Sequence, residues 1–480
     1  QMGASRITGV ELNPVMLDMT LNRYANFAGN LYGSSKAEAV VGEGRSYVRR
    51  SDRTFDIIQM SGVDTWAGLS SGAYVLSENY LYTVEAFTDY LDHLKPDGLL
   101  AVSRFRLEPA RESLRLISLA YRALEGRNAP RPQDHIAVLS FHPQLAMILV
   151  KRSPFEPEEV AVLTDAVGRT NGTVYAAPGL RTENPYSELV AAFSTGQEKQ
   201  FFDRYPYNVT PVYDDRPFFF EYYKWSRIWR DLAGSSSGGQ IGANRPVALT
   251  VLGSLLAMVT VLSAILILLP LLLFRQRRLH APRWPGVVGY FVAIGLAFMF
   301  VEISMMQRLI LFLGHPGLAI PVVLASLLVS AGIGSYVSAK LPLPERGKLT
   351  LSLLGVPLVL LGLLLVLPLI LDELLGAPFS IRVLTSVVIV ALPGVLMGMP
   401  FPLGLSVVSR LSRAMIPWAW GINGVASVLG TILVILVAMS LGFTWSIGMA
   451  GGLYLAALVF VWPTLRYVPI MPGEADQIPE

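Results

Sequence analysis

The chain has 480 residues, 52% of them hydrophobic and only 15% charged, with a formal net charge of +3. That charge fraction is well below the ~25% of an ordinary soluble domain, and the mean hydropathy is +0.49. The lack of cysteine excludes disulfides, thiolate catalysis and Cys-based zinc or iron–sulfur sites, and the 5 histidines, none in a paired spacing, argue against a His-rich metal site.

Two halves are hidden in the average. Up to about Asp231 the chain has the mix of a soluble domain, and from Val247 on long apolar runs dominate. The basic residues of the second half sit in short loops between those runs. That pattern fits membrane topology rather than nucleic-acid binding. No signal peptide is visible, and QMGASRITGV has no initiator start, so the chain is expected to begin inside a domain.

In chain order, Arg6 to Glu11 reads as a strand ending in an acid, and Pro14 opens a helix running to about Phe27. Val40-Val41 lead into Gly42-Glu43-Gly44-Arg45, a strand meeting a tight turn where the backbone can approach a ligand. Phe55 to Met60 reads as a short buried strand followed by a small polar loop, Ser61 to Thr65. Leu81 to Leu94 has helical periodicity and stops at the turn Lys95-Pro96-Asp97-Gly98. Leu99 to Phe105 is a strand and Glu108 to Leu124 a helix. His135 to Phe141 and Leu145 to Lys151 form a hairpin. The alternation predicts a mostly parallel, doubly wound sheet with an antiparallel edge.

Ligands of such sheets bind beyond the carboxyl ends of the strands. An acid ending the second strand usually reaches ribose hydroxyls, and one ending the next can accept from an adenine amino group. Glu11 and Glu43 hold those places, followed by Asp64 after the Phe55 strand. Each has a plainer alternative: a helix-initiating charge for Glu11, a solvated turn for Glu43, a cap or turn residue for Asp64. Together, in order at successive strand ends, they point to an adenosyl ligand.

ITGVELNP, VVGEGRSYVRR, FDIIQMSGVDTW and LYTVEAFTDYLDHLKPDGLLAVSRF resemble the spermidine synthase (polyamine aminopropyltransferase) branch of the class I S-adenosylmethionine-dependent methyltransferase fold. The chain is most similar to the membrane-fused spermidine synthase-like proteins of bacteria, through YDDRPFFF, FMFVEISMMQRLILFLGHP, MGMPFPLGL and WAWGINGVASVLG as well. The resemblance implies a Rossmann-like, methyltransferase-type domain, incomplete at its N-terminus, and a bacterial plasma-membrane location. It implies decarboxylated S-adenosylmethionine or S-adenosylmethionine as cofactor and a polyamine or other small amine as partner, with no metal and no nucleic acid. Glu11 matches the ribose-binding acid and Glu43 an acid near the adenine, between Gly42 and Gly44. Ser61 stands where the family's catalytic aspartate would be, and Asp64 where its second aspartate would be. Serine is no unaided base at neutral pH, so Asp64 is left as base or as an electrostatic site for the amine. The glycine-rich loop that cradles the cofactor's tail should precede Ile7 and is absent. An incomplete copy is expected, because a sheet without its central strand exposes two strand edges.

Beyond this domain (1–155), Glu156 to Thr170 reads as a helix, Val174 to Ala177 as a strand and Ser187 to Tyr205 as a helix. The Tyr213-Asp214-Asp215-Arg216-Pro217-Phe218-Phe219-Phe220 cluster is either an internal Asp–Arg pair with an aromatic plug or a lid offering carboxylates to an amine. Tyr222, Tyr223, Trp225 and Trp229 suit a membrane–water interface. This extension (156–233) is followed by a flexible linker (234–246), an all-α bundle of about seven membrane spans (247–465) and a tail (466–480). The basic loops place their side in the cytoplasm, and parity then puts the soluble domain outside, against the cytosolic supply of adenosyl cofactors; Arg227, Arg230 and Arg245 before the first span weigh the other way, and the domain's side stays open.

Glu302 and Arg308 lie within the second apolar run, where each charge costs ~2.5–3.5 kcal/mol at a helix centre. They are expected to face the bundle interior, pairing with each other or with a polar substrate, unless Arg308 snorkels. Pro400 and Pro402 should break the fifth span, and Gly421, Asn423, Gly424 and Ser427 give the sixth a small, polar face. Such features mark either close helix packing or a transport site. Two functions follow: a membrane-integrated aminopropyltransferase-like enzyme, or a multi-pass transporter or sensor with a degenerate, regulatory methyltransferase-like domain.

Overall fold

The computed structural model describes residues 3–63, 78–224, 247–273, 284–314 and 316–465. The chain divides into two compact units, Gln1–Val251 and Leu252–Glu480. Asp64, Trp225, Trp229, the 234–246 linker, the arginines at 275–283, His315 and Arg466 lie outside the described residues.

The first unit begins with strand β1 (Ile7–Glu11), helix α1 (Pro14–Asp18), strand β2 (Ala37–Val41) and helix α2 (Gly44–Arg49). Strand β3 (Phe55–Ser61), helix α3 (Val84–Asp92) and strand β4 (Leu94–Phe105) follow. Helix α4 (Glu112–Gly126) leads to the hairpin β5 (Ile136–His142) and β6 (Leu145–Lys151). Helix α5 (Pro157–Arg169), strand β7 (Thr173–Ala176) and helices α6 (Pro185–Ser194) and α7 (Glu198–Arg204) complete the regular structure.

Instead of one doubly wound sheet there are two. β1 and β2 pair in parallel, and a mixed five-stranded sheet runs β3-β4-β6-β5-β7. Only β3 and β4 are parallel in the second; β4, β6, β5 and β7 pair antiparallel, the expected antiparallel edge. β3 hydrogen-bonds to β4 and not to β1, so the outer edges of β1 and β3 have no partner strand among the described residues. Apolar side chains stay exposed there, including Ile7, Val41 and Ile57, whereas the strands of parallel sheets are normally covered on both faces.

Local chemistry explains most element boundaries. Asn13 caps α1 ahead of Pro14, and Thr83 caps α3 by accepting from Ala86 N–H. Helix α1 is much shorter than its periodicity predicts: a π-helical turn (Met19–Arg23) follows it, and Gly29 and Asn30 turn the chain at positive φ. Phe27, the expected end of the helix, is 93% exposed. Lys95 to Gly98 makes no terminating turn. It loops out as a bulge within β4, where the pairing jumps from Phe55↔Leu94 to Ile57↔Leu99. The single helix predicted over 187–205 is two, broken at Gly196 with φ +68°.

One core joins the sheet to the segment after it. Phe87, Leu91, Leu100, Val102, Leu114, Ile117, Ile148 and Val150 pack with Tyr186, Leu189, Phe201, Val209, Phe219 and Phe220. The 156–224 extension is therefore part of the hydrophobic interior of the α/β domain.

Among the described residues, seven helices are long and apolar enough to cross a membrane, making the chain a multi-pass membrane protein. They comprise α8 (Val247–Ser263, extended by a π-helical turn), α9 (Trp284–Leu313), α10 (Pro316–Lys340), α11 (Glu345–Glu373), α12 (Phe379–Met397) with α13 (Pro400–Leu411), α14 (Ile416–Leu441) and α15 (Phe443–Leu465). The fifth span breaks where expected, at Gly398-Met399 just before Pro400. Helix α9 is central and packs against α14, α15 and α10. Glycines bring backbones together as in other membrane bundles. A Cβ at Gly334 of α10 would lie 1.8 Å from the Val395 carbonyl oxygen of α12.

Candidate functional site

β1 and β2 run in register, Glu11 opposite Val41, so their carboxyl ends come together. Gly42 N–H donates to the Glu11 carbonyl at 3.0 Å. Glu11, Gly42, Glu43 and Gly44 thus share one edge of the small sheet. Glu11 Oε1 accepts from Asn13 N–H at 2.8 Å. Glu43 is the N-cap of α2: Oε1 accepts from Arg45 N–H at 3.0 Å and Oε2 from Ser46 N–H at 2.7 Å. Carboxylates accept up to about four hydrogen bonds, so neither residue is saturated. Gly42 has open space where a Cβ would point.

Ser61 ends β3, a strand of the other sheet. It is exposed, and its Oγ accepts from Gln59 Nε2 at 3.1 Å. Gly62, at φ +60°, turns the chain after it. No carboxylate or imidazole contacts Ser61 among the described residues.

The polar centre of the unit is Arg45, whose side chain is 1% exposed. Its Nε donates to Asp89 Oδ2 at 2.6 Å, and its two terminal nitrogens grip Asp214 at 2.6 and 2.7 Å. It also donates to the Tyr80 carbonyl. Thr83 Oγ1 donates to Asp214 at 2.6 Å, and Asp214 N–H donates to Glu85 Oε2 at 3.0 Å. Burial works against the charge of Arg45, but Asp214 and Asp89 outweigh it and hold the guanidinium above its ordinary pKa. Burial, then the neighbouring Asp214 charge, pushes the Glu85 carboxyl up to about 7.

This arrangement decides between the two readings of the 213–220 cluster. Asp214 is committed to an internal arginine, and Phe218, Phe219 and Phe220 are buried. The arginine is Arg45, however, distant in sequence. A second buried arginine fixes the same segment: Arg115 of α4 donates to the carbonyls of Asn208, Phe218, Phe219 and Glu221. Its guanidinium lies over the Tyr222 ring at 4.6 Å. Burial lowers its pKa to about 10. Sequence reasoning singled out neither arginine. The signal for Arg115 is a lone cation between Leu114, Leu116 and Ile117 in an amphipathic helix.

In the membrane half the polar residues do not assemble. Arg308 donates to Thr444 Oγ1 and does not pair with Glu302; six residues on a helix put them about 120° apart around the axis. Asn423 Nδ2 donates to the Phe291 carbonyl at 3.1 Å, and Ser427 Oγ to the Gly295 carbonyl at 3.4 Å. Asn423 and Ser427 of α14 thus pack on α9, whereas a Cβ at Gly424 would meet nothing within 4 Å. Glu302 is half-buried, with no hydrogen bond or ion pair among the described residues. Arg382, overlooked in the sequence, is buried and donates to the Phe312 carbonyl at 2.6 Å. No group of three or more His, Asp or Glu suited to a metal occurs among the described residues.

No protein-family model matches the chain, and no curated protein matches it.

Proposed function

We propose that the chain is a membrane-integrated transferase of the spermidine synthase type. In this reading Glu11 accepts hydrogen bonds from the ribose hydroxyls of decarboxylated S-adenosylmethionine, and Glu43 lies near the adenine. The observation that supports it is the in-register placement of Glu11, Gly42, Glu43 and Gly44 at the carboxyl ends of two parallel strands. In the reaction, the nitrogen of an amine attacks the propyl carbon next to sulfur. The C–S bond breaks, methylthioadenosine leaves with the electron pair, and the amine proton passes to a base. Among the described residues Ser61 has no partner that would let it serve, and in this reading the role falls to Asp64.

The test is calorimetric titration of the full chain in detergent with decarboxylated S-adenosylmethionine, S-adenosylmethionine and methylthioadenosine. Binding is expected, weakened at least about tenfold in Glu11→Ala, the loss of a hydrogen bond to a charged group being worth about 1.5–3 kcal/mol. A folded protein that binds none of the three overturns the proposal. The second reading, a transporter or sensor with a degenerate α/β domain, is favoured by Ser61 and Glu302, neither of which has a charged partner among the described residues, and would then stand.

A further inference from the structure

The α9–α14 seam can be traced residue by residue. Gly295 meets Asn423 and Ala426, and Met299 with Leu296 meets Gly430. Glu302 lies seven residues beyond Gly295, two turns along and about 20° round the helix, so it continues the same stripe. The 30-residue helix is roughly 45 Å long, and Glu302 sits roughly 5 Å from its midpoint. Its neighbours one turn either way, at i−4, i−3, i+3 and i+4, are Phe298, Met299, Met305 and Met306.

We propose that Glu302 is an intramembrane binding site for an alkylammonium ion, one carboxylate set in a collar of one phenylalanine and three methionines. A carboxylate at this depth is costly unless paired, and no cation pairs with Glu302 among the described residues: Arg308 is turned away toward Thr444. Hard metal ions demand six or more oxygen ligands, which no cluster among the described residues supplies. An alkylammonium ion needs only one counter-charge. Its C–H surface suits an aromatic face and polarisable thioethers. The inference does not rest on the proposed transferase activity, and its test omits any adenosyl cofactor.

The experiment is labelling of the full chain in neutral-lipid nanodiscs with dicyclohexylcarbodiimide. The reagent adds a carboxylic O–H across its C=N bond and rearranges to a stable N-acylurea, located by mass spectrometry. Labelling is expected at Glu302, slowed about tenfold by saturating propylammonium or 1,4-diaminobutane and not by potassium; tenfold corresponds to 1.4 kcal/mol. Glu302→Gln is expected to lose radiolabelled 1,4-diaminobutane binding, with Glu302→Asp retaining part of it. Equal slowing by potassium, or labelling that neither ammonium slows, overturns the proposal. The wild-type protection data decide the matter even if the glutamine variant misfolds.

Discussion

Glu85 illustrates how one side chain ties stability to pH. Its carboxyl is raised by burial and Asp214 from 4.5 to about 7 in the folded protein. Below pH 4.5 both states are protonated and its contribution is fully present; it is lost as pH rises from about 4.5 through about 7, where the unfolded chain has already released the proton. Glu85→Gln keeps an acceptor for Asp214 N–H and removes the titration. The gap in melting temperature, variant minus wild type, is therefore expected to widen between pH 5 and pH 8. A constant gap refutes the shift. Residues of this kind were only partly legible in the sequence. Glu11 and Glu43 were found because strand ends are readable from apolar runs and turns. The partner of Asp214 was not, because Arg45 is 169 residues away and only tertiary structure joins them. Arg115 was hidden for a related reason: its partners are backbone carbonyls, which carry no sequence signature.

Among the elements, long apolar helices were the most legible: all seven spans lie where hydropathy places them, because about 20 apolar residues have few other uses. Short elements were not. Helix α1 stops early at a π-helical turn, and the bulge in β4 passed for a turn, since Pro and Gly mark both. Close helix contact is also unevenly written. Gly332 and Gly334 look equivalent, yet a Cβ at Gly332 meets nothing within 4 Å whereas one at Gly334 would overlap the α12 backbone. Gly334→Ala is expected to lower the melting temperature in detergent, by an overpacking cost of about 1–3 kcal/mol. Gly332→Ala is expected to be neutral or slightly stabilising through helix propensity. Similar losses in both variants would show that α10 and α12 do not meet there.

At the scale of the whole chain, the α/β core continues past residue 155, where the element pattern in the sequence places a border. Phe219 and Phe220 belong to the same interior as Leu100 and Ile148. A fragment ending at 155 is expected to be insoluble or protease-sensitive, and one ending at 224 to give a protected core in limited proteolysis. Equal protection of both would show that the later segment is dispensable. Apolar runs and turns located strand ends well, but a border set by shared side-chain packing is not written in either segment alone. The grip of Arg115 on the carbonyls of residues 208–221 also sets a schedule. Glu221 is translated roughly 70 residues after Lys151, about 4–14 s later at 5–20 residues per second. For that interval the nascent sheet stands with an uncompensated guanidinium and an unfilled aromatic socket, just before α8 is made. Chaperone engagement during synthesis should concentrate in that window.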